Sequence, residues 1–123
     1  MIEGFVNANL EAVVSLSLRG PQGPEREVDA VIDTGYSGTL TLPPSLVAEL
    51  ELPFAHSSRA FLADNTEVRF SVYSVTALWE GRPRRIEADA VGSTPLVGMA
   101  MLDNHDLSIQ IRDGGRVVIQ ATE

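Results

Sequence analysis

Residues 31–40 read VIDTGYSGTL, a short apolar run that meets an acid, a small hydroxyl residue and a glycine. Val31 and Ile32 carry a strand signal up to Asp33, and Gly35 permits a sharp reversal. An acid there has two readings. It is an ordinary turn former, since Asp bonds its own backbone and Gly accepts positive φ, or it is a carboxylate emerging from the core with little water around it. Taken alone, Asp33-Thr34-Gly35 reads more readily as a turn, and Asp113-Gly114-Gly115 illustrates a turn with no chemistry attached. The surroundings decide between the two.

Upstream, FVNANLEAVVSLSL (5–18) alternates apolar and polar residues with a register shift near Val13, which predicts one long strand with a bulge or bend. RGPQGPE breaks the pattern, and EVDAVI resumes it as the strand feeding Asp33. Downstream, TLTL predicts a short strand stopped by Pro43 and Pro44. SLVAELEL predicts a helix with Ser45 near its start and Pro53 at its end. From Ser58 the chain reads as strand again: RAFLA, the turn DNT, then VRFSVYSVTALW. WEGRPRR reads as a second hairpin turn before IEADAV, and MAMLDNH as one or two helical turns. LSIQIR, DGG and RVVIQ form a closing hairpin. Many short strands, frequent Gly and Pro turns and one or two short helices indicate an all-β barrel or sandwich. The 123 residues suit a single domain over 1–123, without repeats or linkers.

Composition narrows the function. A net charge of −8 disfavours nucleic acid, whose phosphates need a positive face. All nine basic residues are Arg, and the nearest approach to a basic patch, Arg82, Arg84 and Arg85, reads as a solvated turn. Without Cys there is no disulfide, thiol nucleophile or thiolate-bound metal. His56 and His105 stand far apart, so no zinc site is expected, a carboxylate-bound ion stays open, and no cofactor is implied. No basic, apolar leader and no membrane-length apolar run is present, so the expectation is a complete, soluble cytoplasmic protein without a membrane partner.

Four stretches in order, VIDTGYSGTLTLP, FLADNTEVRF, WEGRPRR and PLVGMAML, together resemble the retropepsin-like (clan AA) aspartic proteases, in particular their small single-domain bacterial members. The likeness runs from about Val28 to Ile119. Asp-Thr-Gly and the apolar-apolar-Gly of Leu96-Val97-Gly98 are its specific parts, and the hairpins are supportive. The resemblance implies a closed acid-protease barrel with one half-site per chain, because the family pairs two Asp-Thr-Gly loops at a twofold axis and this chain has one. A homodimer then brings together two Asp33 side chains. Adjacent carboxylates cannot both ionise easily, so the pair holds one proton and activates a water for attack on a peptide bond.

By the same resemblance, Thr34 bonds across to the partner's loop, with a local capping role as the alternative, and Gly35 and Ser37 support the loop. Val97 and Gly98 lie beneath it. Ala63, Asp64, Asn65 and Thr66 form the tip of a flap over a peptide or protein substrate, although an ordinary surface hairpin reads almost as well. Three positions depart from the family pattern. The flap tip lacks the usual glycine, Ala100 stands where bacterial members commonly carry a polar residue, and Tyr36 replaces an Ala or Ser after the glycine. A Ser at that place can bond the catalytic carboxylate, whereas Tyr36 changes local polarity and is expected to line the cleft. The sequence thus predicts a homodimeric aspartic endopeptidase, with a catalytically weak or inactive dimeric peptide-binding module on the same scaffold as the alternative.

Overall fold

Alternation of buried and exposed side chains sets most of the strands in the computed structural model, which describes residues 1–122. The elements are β1 (Ile2–Val6), β2 (Ala12–Arg19), β3 (Arg26–Ile32), β4 (Leu40–Leu42), α1 (Pro44–Glu49), β5 (Phe54–Phe61), β6 (Glu67–Trp79), β7 (Arg82–Ala90), β8 (Leu96–Val97), β9 (His105–Ile109) and β10 (Arg116–Ala121). In β2, Val14, Leu16 and Leu18 point inward. Between them Ser15 and Ser17 point outward and donate to Glu27 (2.7 Å) and Glu25 (2.6 Å). The same period of two buries Val75, Ala77 and Trp79 of β6 and Ile86 and Ala88 of β7.

The strands form one sheet in the order β5-β6-β7-β4-β8-β3-β2-β1-β10-β9. Pairing of β2 with β6 closes the six strands from β6 to β2 into a barrel, so the chain is all-β with a closed barrel at its centre. Leu16, Leu18, Leu40, Leu42, Val75 and Val97 fill its interior almost without exposure. Packing at this density makes each inward position sensitive to a change of one methylene. Two extensions leave the barrel: β5 on the edge beside β6, and the β1-β10-β9 ribbon beside β2. None of the helices among the described residues is long and apolar enough to cross a membrane.

Several local expectations are corrected. The predicted long strand over 5–18 is two strands, β1 and β2, joined by a turn. Asn7 Oδ1 accepts the Asn9 and Glu11 N–H groups there, and Leu10 takes a left-handed φ of 60°. The register shift near Val13 was the trace of that hairpin rather than of a bulge. The helix is shorter than SLVAELEL. It begins with Pro44 at its first position, has no side-chain cap from Ser45, and ends where Glu51 turns left-handed, before Pro53. Residues from Phe54 are already in β5.

The turn in WEGRPRR is Glu80-Gly81 alone. Arg82, Arg84 and Arg85 lie within β7, and Arg84 donates to the Met101 carbonyl (3.2 Å), so they form no solvated turn. Residues 99–104 make successive i→i−3 turns without a regular helix, leaving α1 as the one α-helix among the described residues. Neither histidine is free for a shared site. His56 pairs with Glu87 (3.1 Å), and the largely buried His105 accepts the Trp79 indole N–H (3.1 Å).

Candidate active site

The end of β3 carries Asp33, and long-range strand pairing fixes the loop that begins there. Strand β8 inserts between β3 and β4, parallel to the first (Val31 opposite Leu96, Ile32 opposite Val97) and antiparallel to the second (Leu40 opposite Val97). The acid loop, residues 33–39, is thus bounded on both sides by strands that share one partner. Residues 97–100 stitch it down. Asp33 N–H donates to Val97 O (2.9 Å), Gly98 N–H to Thr39 O (3.0 Å), Met99 N–H to Tyr36 O (2.8 Å) and Ala100 N–H to Gly38 O (3.1 Å). Val97 and Gly98 therefore lie directly against the loop, and Ala100 contributes through its backbone. A Cβ on Gly98 would overlap the Gly38 carbonyl oxygen and the Tyr36 ring, so close approach requires glycine there.

Asp33 is half-buried, and its Oδ1 accepts the Gly35 N–H at 2.9 Å. The carboxylate is therefore a turn former as well as a cleft residue. Gly35 is less constrained than its place in the motif suggests. Its φ is not left-handed, and an added Cβ would meet only the Asp33 Oδ1, at 3.3 Å. Thr34 and Ser37 are exposed.

Tyr36 supplies the main departure from expectation. Its hydroxyl donates to Asp89 Oδ2 at 2.6 Å, a short contact typical of a charge-assisted bond, and also lies 3.2 Å from Leu40 O. The ring crosses Gly38 and Gly98, both of which lack the Cβ that would displace it. Burial raises the Tyr36 phenol well above its ordinary value, the bond to Asp89 adds to this, and Thr41 opposes it. Tyr36 thus stays a neutral donor, and its single proton is committed to Asp89 rather than to Asp33.

Two depressions flank the acid loop. One, of about 460 Å³, is lined by Asp33, Tyr36, Thr41, Asp89, residues 91–94 and Leu96. Thr41, only 4% exposed, is its buried polar floor. The other is lined by Leu10, Glu11, Val31, Thr34, Ile109 and Ile111, with Leu10 62% and Ile111 71% exposed. Asp33 opens into the first, Thr34 into the second.

The β5–β6 hairpin stands apart from both. Seven of the eight residues of β5 are exposed, as are Ala63, Asp64, Asn65 and Thr66 at its tip. Leu62 N–H bonds Thr66 O (2.9 Å), Thr66 N–H bonds Asp64 Oδ1 (2.9 Å), and Asn65 takes φ 67°. Asparagine therefore fills the left-handed position that a glycine would otherwise take. Within one chain the tip is not among the residues lining either depression.

Asp89 was not identified from the sequence. Alternation in IEADAV marks it only as an outward position, and its role depends on the parallel pairing of β4 with β7 that sets Thr41 opposite Asp89. Among the described residues no group of three or more His, Asp or Glu is placed to hold a metal ion. No protein-family model matches the chain, and no curated protein matches it significantly.

Proposed function

We propose that the chain is a retropepsin-like aspartic endopeptidase that works as a homodimer, with one Asp33 from each copy. The observation that carries this reading is the placement of Asp33. It lies half-buried at the end of a barrel strand, in an open cleft, on a loop tied to residues 97–100 by backbone bonds. A loop so held can present a carboxylate at fixed geometry, which general acid–base work requires. The exposure of Thr34, Leu10 and Ile111 beside the acid supports pairing with a second copy, which would cover an apolar surface at the site itself. The projecting β5–β6 hairpin supplies a segment free to close over an extended peptide.

In this reading the two Asp33 carboxylates share one proton. The ionised member takes a proton from a water that attacks the peptide carbonyl carbon, and the protonated member donates to the carbonyl oxygen. Collapse of the tetrahedral intermediate breaks the C–N bond and returns a proton to the amine. The titration belongs to the pair rather than to either residue. Cytoplasmic operation belongs to the same proposal.

A second reading, an inactive dimeric peptide-binding module, is favoured by one observation: the hydroxyl at position 36 serves Asp89 and leaves Asp33 without that donor. Peptide cleavage by the wild-type protein and by Asp33→Asn, read alongside sedimentation, separates the two. The endopeptidase reading expects cleavage lost in a variant that still folds and dimerises. Saturable peptide binding with no cleavage from acidic to neutral pH establishes the module.

A further inference from the structure

We infer that Asp89 is a specificity determinant, selecting a cationic side chain (Arg or Lys) within two residues of the scissile bond. The inference rests on the endopeptidase reading for its substrate and on the cleft for its chemistry. The depression that holds Asp33 also holds Asp89, and among the described residues no Arg, Lys or His lines it. His56, two strands away and in register with Asp89 through Val72, is paired with Glu87 at 3.1 Å. Among the described residues Asp89 thus forms no ion pair, and the nearest base, His56, whose protonated form the Glu87 bond and, more weakly, the Asp89 charge favour, is committed to Glu87.

Its carboxylate is also held in place. The Tyr36 hydroxyl donates to Oδ2 at 2.6 Å, and the burial of Tyr36 across Gly38 and Gly98 fixes that donor in turn. A side-chain carboxylate positioned in this way pairs with a guanidinium or ammonium at little entropic cost, since one partner is already ordered. The remaining lining supports a long side chain with a polar end. Val91 and Leu96 offer apolar contact for a methylene stem, and Ser93 and Thr94 offer hydroxyls. The chain's net charge of −8 also draws cationic peptides toward it.

The test is a peptide series with Arg, Lys, Gln, Leu or Glu in turn at each of the two positions on either side of the cleaved bond. It is read as cleavage by wild type, Asp89→Asn and Tyr36→Phe, and as binding to Asp33→Asn with and without Asp89→Asn. Asparagine keeps an acceptor for Tyr36, so the loop retains its tether. At one position wild type is expected to prefer Arg or Lys over Gln by about tenfold or more. Asp89→Asn should abolish that preference while still cleaving the Gln and Leu peptides, and Tyr36→Phe should weaken the preference without removing it. Cleavage with no cationic preference, or a preference unchanged by Asp89→Asn, overturns the inference and leaves the protease reading intact. Absence of cleavage by wild type together with Asp89-dependent binding of Arg peptides overturns the protease reading and, with it, the placement beside a scissile bond, and upholds Asp89 only as the cation-selecting group of a binding cleft. Equal loss of activity on every peptide in Asp89→Asn, with the preference kept, makes Asp89 a structural tether and overturns it as well.

Discussion

Two aspartates in this chain make the same local bond. Asp33 Oδ1 accepts the Gly35 N–H at 2.9 Å, and Asp64 Oδ1 accepts the Thr66 N–H at 2.9 Å. Both are turns in which an acid side chain substitutes for a backbone acceptor. The difference lies in what surrounds each one. The Asp33 loop is tied by four backbone bonds to residues 97–100 and anchored through Tyr36 to β7. The Asp64 turn is held by bonds within itself, and every residue around it is exposed. The same local chemistry thus gives a rigid carboxylate in a cleft in one case and a free hairpin tip in the other. An acid's role is set by its long-range contacts rather than by its turn.

The contrast is tested most sharply by removing each charge in turn. Asp33→Asn should lower peptide cleavage by about a thousandfold or more, whereas Asp64→Asn should alter it only a few-fold, both read as kcat/KM on one substrate. Equal effects would erase the distinction. The next largest effect concerns packing under the loop. Gly98→Ala forces a Cβ onto the Gly38 carbonyl oxygen and should cost about 3 kcal/mol in chemical denaturation. Gly38→Ala drives a Cβ into the Tyr36 ring and hydroxyl, which the bond to Asp89 holds in place, and should cost a similar amount. Gly35→Ala should cost least of the three, since only the Asp33 oxygen stands near its Cβ.

Tyr36→Phe removes the tether between loop and barrel and should cost about 1–2 kcal/mol. It should also change the alkaline limb of stability. The folded protein holds the Tyr36 proton more tightly than the unfolded chain does. Its contribution is therefore fully present below about pH 10 and lost as pH rises above that value. Denaturation midpoints from pH 8 to 12 should fall less steeply in Tyr36→Phe than in wild type. The smallest effect belongs to the hairpin tip. Asn65→Ala places alanine at φ 67° and should cost under about 1 kcal/mol, and Asn65→Gly should be nearly neutral. Hydrogen exchange should find the amides of residues 62–66 fast and those of Asp33, Gly98 and Met99 slow.

Local signals made most of the barrel legible in the sequence. The period of two in AVVSLSL and SVTALW, and the turns at Asp64-Asn65 and Gly114-Gly115, lie where the strands and hairpins are. The hairpin between β1 and β2 was hidden because its turn, Asn7 to Leu10, contains no Gly or Pro and uses a leucine at positive φ. Of the site, the acid and the Val97-Gly98 step were visible, because a strand ending in Asp and a glycine after an apolar pair are local patterns. The partner of Tyr36 was not visible. Asp89 lies 53 residues further on, and only the parallel pairing of β4 with β7 brings it to the cleft. Nothing in the neighbours of Asp89 marks such a pairing.

The central claim is that Asp33 is half a site completed by a second copy of the chain. Mixing wild type with Asp33→Asn at constant total protein, after subunits have equilibrated, tests it directly. If both carboxylates are required, activity follows the square of the wild-type fraction, so an equal mixture retains about a quarter. Activity that falls linearly, to about half in the equal mixture, would place a complete site in each chain and contradict the claim.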